Sequence, residues 1–323
     1  MDNQIFQTTA EDIGKRLDVF LSEKIADWSR ARLQKLIDDS DVSVNQKASK
    51  SSYKLRGGEK IEVEFVEDAV EKFKPENIAL DIIYEDEFLV VINKPAGMVV
   101  HPGAGISSGT LANAIAFHFG FKIQDSRLET EIQNPKSKIQ NRVGIVHRLD
   151  KNTSGLIVVA KTEAIHENLS RQFSKRTIAK NYLALVHGNI ETQIGKIETA
   201  VGRDVRQRTR MAIVKGGREA LTLWKVRQRF NKFTLLDVEI KTGRTHQIRV
   251  HLASVNHPIV GDETYNAGRD KTVADVKIRQ AIANLNRFFL HAEKLSLTHP
   301  KTLEKMNFTA PLAPELTEFL KLI

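Results

Sequence analysis

His147-Arg148-Leu149-Asp150-Lys151-Asn152-Thr153-Ser154-Gly155 is a polar block set between two apolar runs, Val143-Gly144-Ile145-Val146 and Leu156-Ile157-Val158-Val159-Ala160. Both runs read as strands, so the block is a connection leaving a sheet, a common place for a site. A carboxylate buried there needs a partner, which makes Asp150 the candidate reactive group. On residue types alone, a turn in which Asp150 bonds backbone amides near Thr153 is an equal alternative. Ser154, His147 and Asp150 are also the types of a serine hydrolase, but they fall within eight positions, where relay geometry is hard to build.

Two further groups suggest chemistry and lack its spacing. His246, His251 and His257 have no HExxH pattern, no cysteine and no adjacent carboxylate set, so helix packing is expected and no metal. Gly103, Gly105 and Gly109 lack both GxGxxG spacing and the closing lysine-serine or lysine-threonine pair of a phosphate loop, so they are read as a turn.

The 323 residues allow about two domains. With 41% hydrophobic and 28% charged residues, the composition is that of a folded globular protein. No apolar run reaches membrane-span length, and the start is polar and acidic where a signal peptide would be basic and then apolar, so a cytoplasmic location is expected. The absence of cysteine excludes disulfides, thiolate metal sites and a cysteine nucleophile.

There are 49 Lys+Arg against 40 Asp+Glu, a net charge of +9 that favours a polyanionic partner; on charge alone, a lysine-rich soluble surface is as good an account. Residues 1–66 are nearly neutral, with 11 cations and 12 anions. From Arg203 to Arg229 there are nine cations and two anions, with Arg203, Arg206, Arg208 and Arg210 forming an arm. Gly216-Gly217 reads as a turn between that arm and a strand-like run, a protruding basic loop or hairpin suited to phosphates, or else a merely solvated one.

The elements that must position these groups follow from periodicity. Leu17, Phe20, Leu21 and Ile25 fit one short helix, and Leu33, Leu36 and Ile37 a second one capped by Ser29. Val42-Ser43-Val44-Asn45 and the run through Ile61, Val63 and Phe65 alternate as strands. Polar residues 67–77 suit a linker, giving domains at 12–70 and 78–323. Beyond it, Asp81-Ile82-Ile83-Tyr84 and Phe88-Leu89-Val90-Val91-Ile92 predict a hairpin, and Leu111, Ile115 and His118 share a helical face. Residues 124–142 read as an exposed insertion of little function. Strand runs then recur at Tyr182-Leu183-Ala184-Leu185-Val186 and from Phe233 to Ile240, with a helix holding Ala164, Leu169 and Phe173 before the first of them. Strands and helices do not strictly alternate, so the fold class is α+β with a mixed or antiparallel sheet and flanking helices.

The segment GKRLDVFLSEKIADWSRARLQKLIDDSDVSVNQKASKSSYKLRGGEKIEVEF resembles the S4 RNA-binding domain. HRLDKNTSGLIVVAK resembles the central motif of the RluA-type pseudouridine synthases. KNYLALVHG, TGRTHQIRVHLASVNHPIVGD and LHAEKLSLTHP follow in that family's order. The resemblance spans nearly the whole chain, leaving out 124–142 and the region around 267–285.

It implies a pseudouridine synthase fold behind a small α+β S4 domain, and isomerisation of uridine in RNA without cofactor or metal. Asp150 aligns with the family's essential aspartate, either a nucleophile at ribose C1′ or an aid to proton loss from C2′. Arg249 matches its ion-pair partner, and Tyr182 the residue that stacks on the base and takes part in proton transfer. Arg148 is expected to fill the space left by an everted uridine. His147, Thr153, Arg30, Arg32, Lys35 and the four arginines of the arm are expected to contact RNA. A monomer acting on 23S rRNA is expected; the alternatives are a tRNA substrate and a non-catalytic rRNA-binding assembly factor.

Overall fold

The computed structural model describes residues 3–25, 30–38, 41–64, 74–103, 105–120, 144–207 and 210–323, without the side chains of residues 3, 30–32 and 35. The chain divides into two compact units, 1–71 and 72–323.

In the first unit, strand β1 (Asn3–Gln7) is followed by helices α1 (Leu17–Lys24) and α2 (Arg30–Asp38) and strands β2 (Val42–Val44), β3 (Lys47–Ala48) and β4 (Lys60–Glu64). They form an antiparallel sheet in the order β1-β4-β2-β3. Leu17, Phe20, Leu21, Leu33, Leu36 and Ile37 pack with Val42, Val44, Ile61 and Val63 in its core. The helix–helix–strand–strand order is as the sequence predicts, and β1 adds an edge strand along β4 that the periodicity does not announce. Arg30, Arg32 and Lys35 lie on α2, but their side chains are outside those described.

The second unit begins with β5 (Ile82–Glu85), β6 (Leu89–Lys94), α3 (Leu111–His118), β7 (Ser154–Ala160), α4 (Glu163–Ser174) and β8 (Ala179–His187). Then come β9 (Ile194–Arg203), β10 (Met211–Ile213), β11 (Arg218–Arg229), β12 (Phe233–Ile240) and α5 (Gln247–Ser254). The unit closes with α6 (Val276–Asn284), β13 (Leu290–Thr298), β14 (Lys305–Thr309) and α7 (Pro314–Leu322). Among the described residues these strands make one sheet, β10-β9-β11-β12-β8-β13-β7-β6-β5, with β14 on β13. Every pair is antiparallel except β13 with β7.

The central strands are covered on both faces, which is why they read as unbroken apolar runs. Val90 and Ile92 of β6 and Ile157 and Val159 of β7 face one core with α3, α5 and α7, while Leu89, Val91, Leu156 and Val158 face a second core under α4. Of the expected strand over Val143-Gly144-Ile145-Val146, the described residues 144–146 make a single bridge, Ile145 with Val159, and Gly144 lies in the left-handed region at φ +61°, which is not extended backbone. Residues 121–143, which contain the expected insertion, lie outside the described residues.

The basic segment is also arranged differently from a single hairpin turning at Gly216-Gly217. The hairpin is β9 with β10, and residues 204–210 are its connection. Gly216-Gly217 instead carries the chain across the end of β9 so that β11 runs along its other side. A Cβ at Gly217 would meet the Val201 carbonyl carbon at 2.8 Å, so this crossing needs glycine.

Candidate active site

The loop before β7 brings Asp150 to a cleft of about 540 Å³. Leu149 is buried and anchors the loop to the core, Arg148 on one side is exposed, and Asp150 on the other is half-buried. The Thr153 amide donates to the Asp150 carbonyl at 3.0 Å and closes a turn. Beneath it, fully buried Lys94 at the end of β6 donates to the carbonyls of Pro95 (2.7 Å), Met98 (2.9 Å) and Lys151 (3.2 Å), tying two loops together. At the start of β7, Gly155 has φ +109°, and a Cβ there would lie 2.3 Å from the Ala292 carbonyl oxygen; only glycine lets β7 and β13 approach so closely.

Arg249, on α5, reaches the cleft from 99 positions downstream and donates through Nη1 to Asp150 Oδ2 at 3.3 Å. Its Nε and Nη2 donate to both oxygens of Asp262 at 2.7 and 2.8 Å. The guanidinium lies between two rings, 4.3 Å from the centre of Phe288 and 4.9 Å from that of Tyr265. Burial disfavours its charge, but the bonds to Asp262 and the charges of both carboxylates outweigh it and raise its pKa. Tyr182, on β8, is buried in the cleft wall. Burial, and then the negative charge of Asp150, pushes its phenol well above the usual range. Asp150 is the single carboxylate among the described residues lining the cleft, which also carries Arg148, Lys180, Arg244 and Arg249.

Other expected site residues are placed differently. His147 lines the cleft, but its Nε2 accepts the Val158 amide at 3.0 Å and its ring stacks on Phe173 at 4.6 Å. Burial, helped by the Lys180 charge, lowers its pKa to about 3, so it is a neutral acceptor fixed to β7. Ser154 bonds His291 Nδ1 (2.9 Å) and receives Arg287 Nη2 (2.8 Å), while His147 Nε2 is taken by the Val158 amide, and this removes the serine hydrolase arrangement. Thr153 is buried, with its amide in the Asp150 turn. Arg206 is exposed, as is Arg203, on the β9–β10 arm. Arg210 instead turns inward over the Tyr265 ring at 5.0 Å. Arg208 lies outside the described residues.

The three histidines read as packing are each engaged separately. His246 Nδ1 bonds the Tyr265 hydroxyl at 2.8 Å. His251 sits between Thr222 (2.9 Å) and Thr199 (3.2 Å), and His257 bonds the His187 carbonyl at 2.8 Å. Among the described residues no group of three His, Asp or Glu could hold a metal ion, and no helix is long and apolar enough to cross a membrane. Residue patterns do not single out Asp262, Tyr265 or Phe288. The available signal for Asp262 is its place in the same segment as Arg249, where Gly261-Asp262 ends an apolar run.

Residues 88–254 match the RNA pseudouridylate synthase family, and residues 15–61 match the S4 domain. An uncharacterised RNA pseudouridine synthase of Bacillus subtilis is 38% identical over 320 residues, covering 99% of this chain and 98% of its own. The ribosomal large subunit pseudouridine synthase D of Nitrosomonas europaea is 40% identical, covering 100% of this chain and 88% of its own. Among solved structures, human RNA pseudouridylate synthase domain containing 1 aligns with a TM-score of 0.55 at 25% identity, over 76% of this chain and 89% of that one.

Proposed function

The chain belongs to the RNA pseudouridylate synthase family, and from that premise we propose that its substrate is the RNA of the large ribosomal subunit, 23S rRNA. As an isomerase it breaks the bond from ribose C1′ to uracil N1 and forms one from C1′ to C5. C5 gives up its proton and N1 ends with one, so no atom is gained or lost.

Asp150 is the group that meets the ribose, either attacking C1′ or assisting proton loss from C2′. Arg249 orients that carboxylate and sets a positive charge beside it. Tyr182 supplies a flat wall for the base while it detaches and turns. Its raised pKa makes it a neutral hydroxyl at rest, so it serves as a proton donor or relay and not as a standing phenolate base. Exposed Arg148 is placed to fill the gap left when the uridine leaves its stack. The S4 unit and the β9–β10 arm hold the surrounding RNA through phosphates.

The observation that carries this reading is the Asp150–Arg249 pair at 3.3 Å in a cleft whose other charged lining groups are cations. The names of full-length relatives such as the Nitrosomonas enzyme support the choice of ribosomal RNA. Purified protein should form pseudouridine in a 23S rRNA transcript, read by carbodiimide-stop primer extension, and Asp150→Ala should form none while still binding the transcript. Product from that variant removes Asp150 from its role. Conversion of tRNA transcripts alone overturns the substrate, and binding without product in any RNA points to an assembly factor.

A further inference from the structure

Lys180 stands two residues before Tyr182 on β8, so strand alternation places both side chains on one face, and both line the cleft. Its ammonium lies 5.5 Å from the centre of the Phe173 ring, whose neighbour in the stack is the neutral imidazole of His147. A cation removed from water is disfavoured unless something compensates it. The buried lysines of this unit have polar partners: Lys161 has Glu85 at 2.6 Å, and Lys94 donates to three carbonyls although burial lowers its pKa to about 7, whereas Lys180 is half-buried. Among the described residues Lys180 has no hydrogen bond and no carboxylate, and burial alone lowers its pKa to about 8. Gly243 also borders this part of the cleft. A Cβ built there would sit 3.7 Å from the ammonium, so Gly243 is a direct neighbour of Lys180.

We infer that Lys180 is a phosphate-binding residue of the cleft, receiving a non-bridging oxygen of a phosphate that flanks the nucleotide held against Tyr182. The inference rests on the cleft being the uridine site. Asp150 is paired with Arg249 and, among the described residues, not with Lys180, which leaves the two groups able to act on different parts of the nucleotide. That division suits the chemistry: the base must come free and rotate while the sugar-phosphate stays fixed, and a cation beside the stacking residue fixes it. A protein phosphate contact is a displaced counterion, which gives it a signature in salt dependence.

The test compares Lys180→Met, which keeps length without charge, with Lys180→Arg, which keeps charge. Binding of a 23S rRNA transcript is measured across a salt series, and steady-state turnover on the same RNA alongside it. Lys180→Met should weaken binding several-fold, reduce the salt slope by about 0.7–0.9, and raise KM more than it lowers kcat. Lys180→Arg should restore the slope. An unchanged slope in Lys180→Met, or a Lys180→Arg variant indistinguishable from it, overturns the inference. A fall in kcat at unchanged slope also overturns it, by assigning the ammonium to the departing base. If the wild type forms no pseudouridine, the reading of the cleft fails instead, and the salt series still reports whether Lys180 meets a phosphate.

Discussion

Asp262 grips Arg249 with two hydrogen bonds, 2.7 and 2.8 Å, and leaves one guanidinium N–H directed at Asp150. Two carboxylates therefore share one cation, the first 1% exposed and the second 18% exposed, so Asp262 is the anchor and Asp150 the one left open to the cleft. Removing Asp262 takes the partner from two of the three hydrogen bonds that this buried guanidinium makes. Asp262→Ala is expected to cost about 3–5 kcal/mol in urea unfolding, and Asp262→Asn less, since the amide retains an acceptor. Both should lower kcat at least tenfold, because Arg249 then swings freely between partners. Full turnover in Asp262→Asn would show that Asp150 and the flanking rings orient Arg249 by themselves. Arg249→Lys should be as damaging, since an ammonium cannot offer three N–H groups in that fork.

His147 gives the protein an acid sensitivity that is separate from catalysis. Its folded pKa is about 3 against an ordinary 6.5, so below pH 6.5 the unfolded chain binds a proton that the native imidazole, accepting the Val158 amide, does not. The associated stability is complete above pH 6.5 and is lost as pH falls toward 3. Between pH 7 and pH 5 this one group should account for about 2 kcal/mol. Comparing denaturant unfolding of the wild type and His147→Gln at those two values isolates it; equal pH dependence in the two proteins would mean that His147 titrates normally.

Tyr182 combines a buried ring with a hydroxyl at the cleft, and the two can be separated. Tyr182→Phe keeps the wall and is expected to leave KM within about twofold while lowering kcat by about 10²–10⁴ if proton transfer passes through the hydroxyl. Tyr182→Ala should in addition destabilise the sheet by about 3–5 kcal/mol through the cavity it opens. Near-normal kcat in Tyr182→Phe would restrict the residue to stacking.

The Asp150 loop is legible in the sequence because polar types stand out between strand runs, and Arg249 because ordered motifs carry it. Asp262 is not, because its pairing is made only when the chain after α5 folds back on that helix, and Gly-Asp after an apolar run looks like an ordinary turn. The two apolar runs flanking the loop look alike, yet among the described residues only the second is a strand; the positive φ of Gly144 in the first is an angle that no periodicity records. Charge counting finds the arginine arm but cannot tell that Arg206 faces solvent while Arg210 packs on Tyr265. Likewise His147 and Ser154, adjacent to Asp150 in sequence, are drawn into separate structural bonds by β7 and β13.

Lys94 shows how a residue distant from the chemistry can still control it. Its fully buried ammonium joins the Pro95–Met98 loop to the Lys151 carbonyl, one residue beyond Asp150, and the Gly97 amide adds a second tie to that carbonyl at 2.9 Å. Lys94→Met preserves the stem and removes the donors, leaving three carbonyls in a space shaped for an ammonium. Each one that water cannot reach costs about 1–3 kcal/mol, so a clear loss in urea midpoint is expected. The Asp150 loop then loses its floor, and kcat should fall while binding of the RNA transcript holds, because Lys94 is shielded from the cleft. Lys94→Arg is not a rescue: a planar fork does not fit where a compact ammonium meets three converging acceptors. If Lys94→Met were as stable and as active as the wild type, the loop would have to be held by Leu149 and the Gly97 amide, and the three carbonyl contacts would carry no weight.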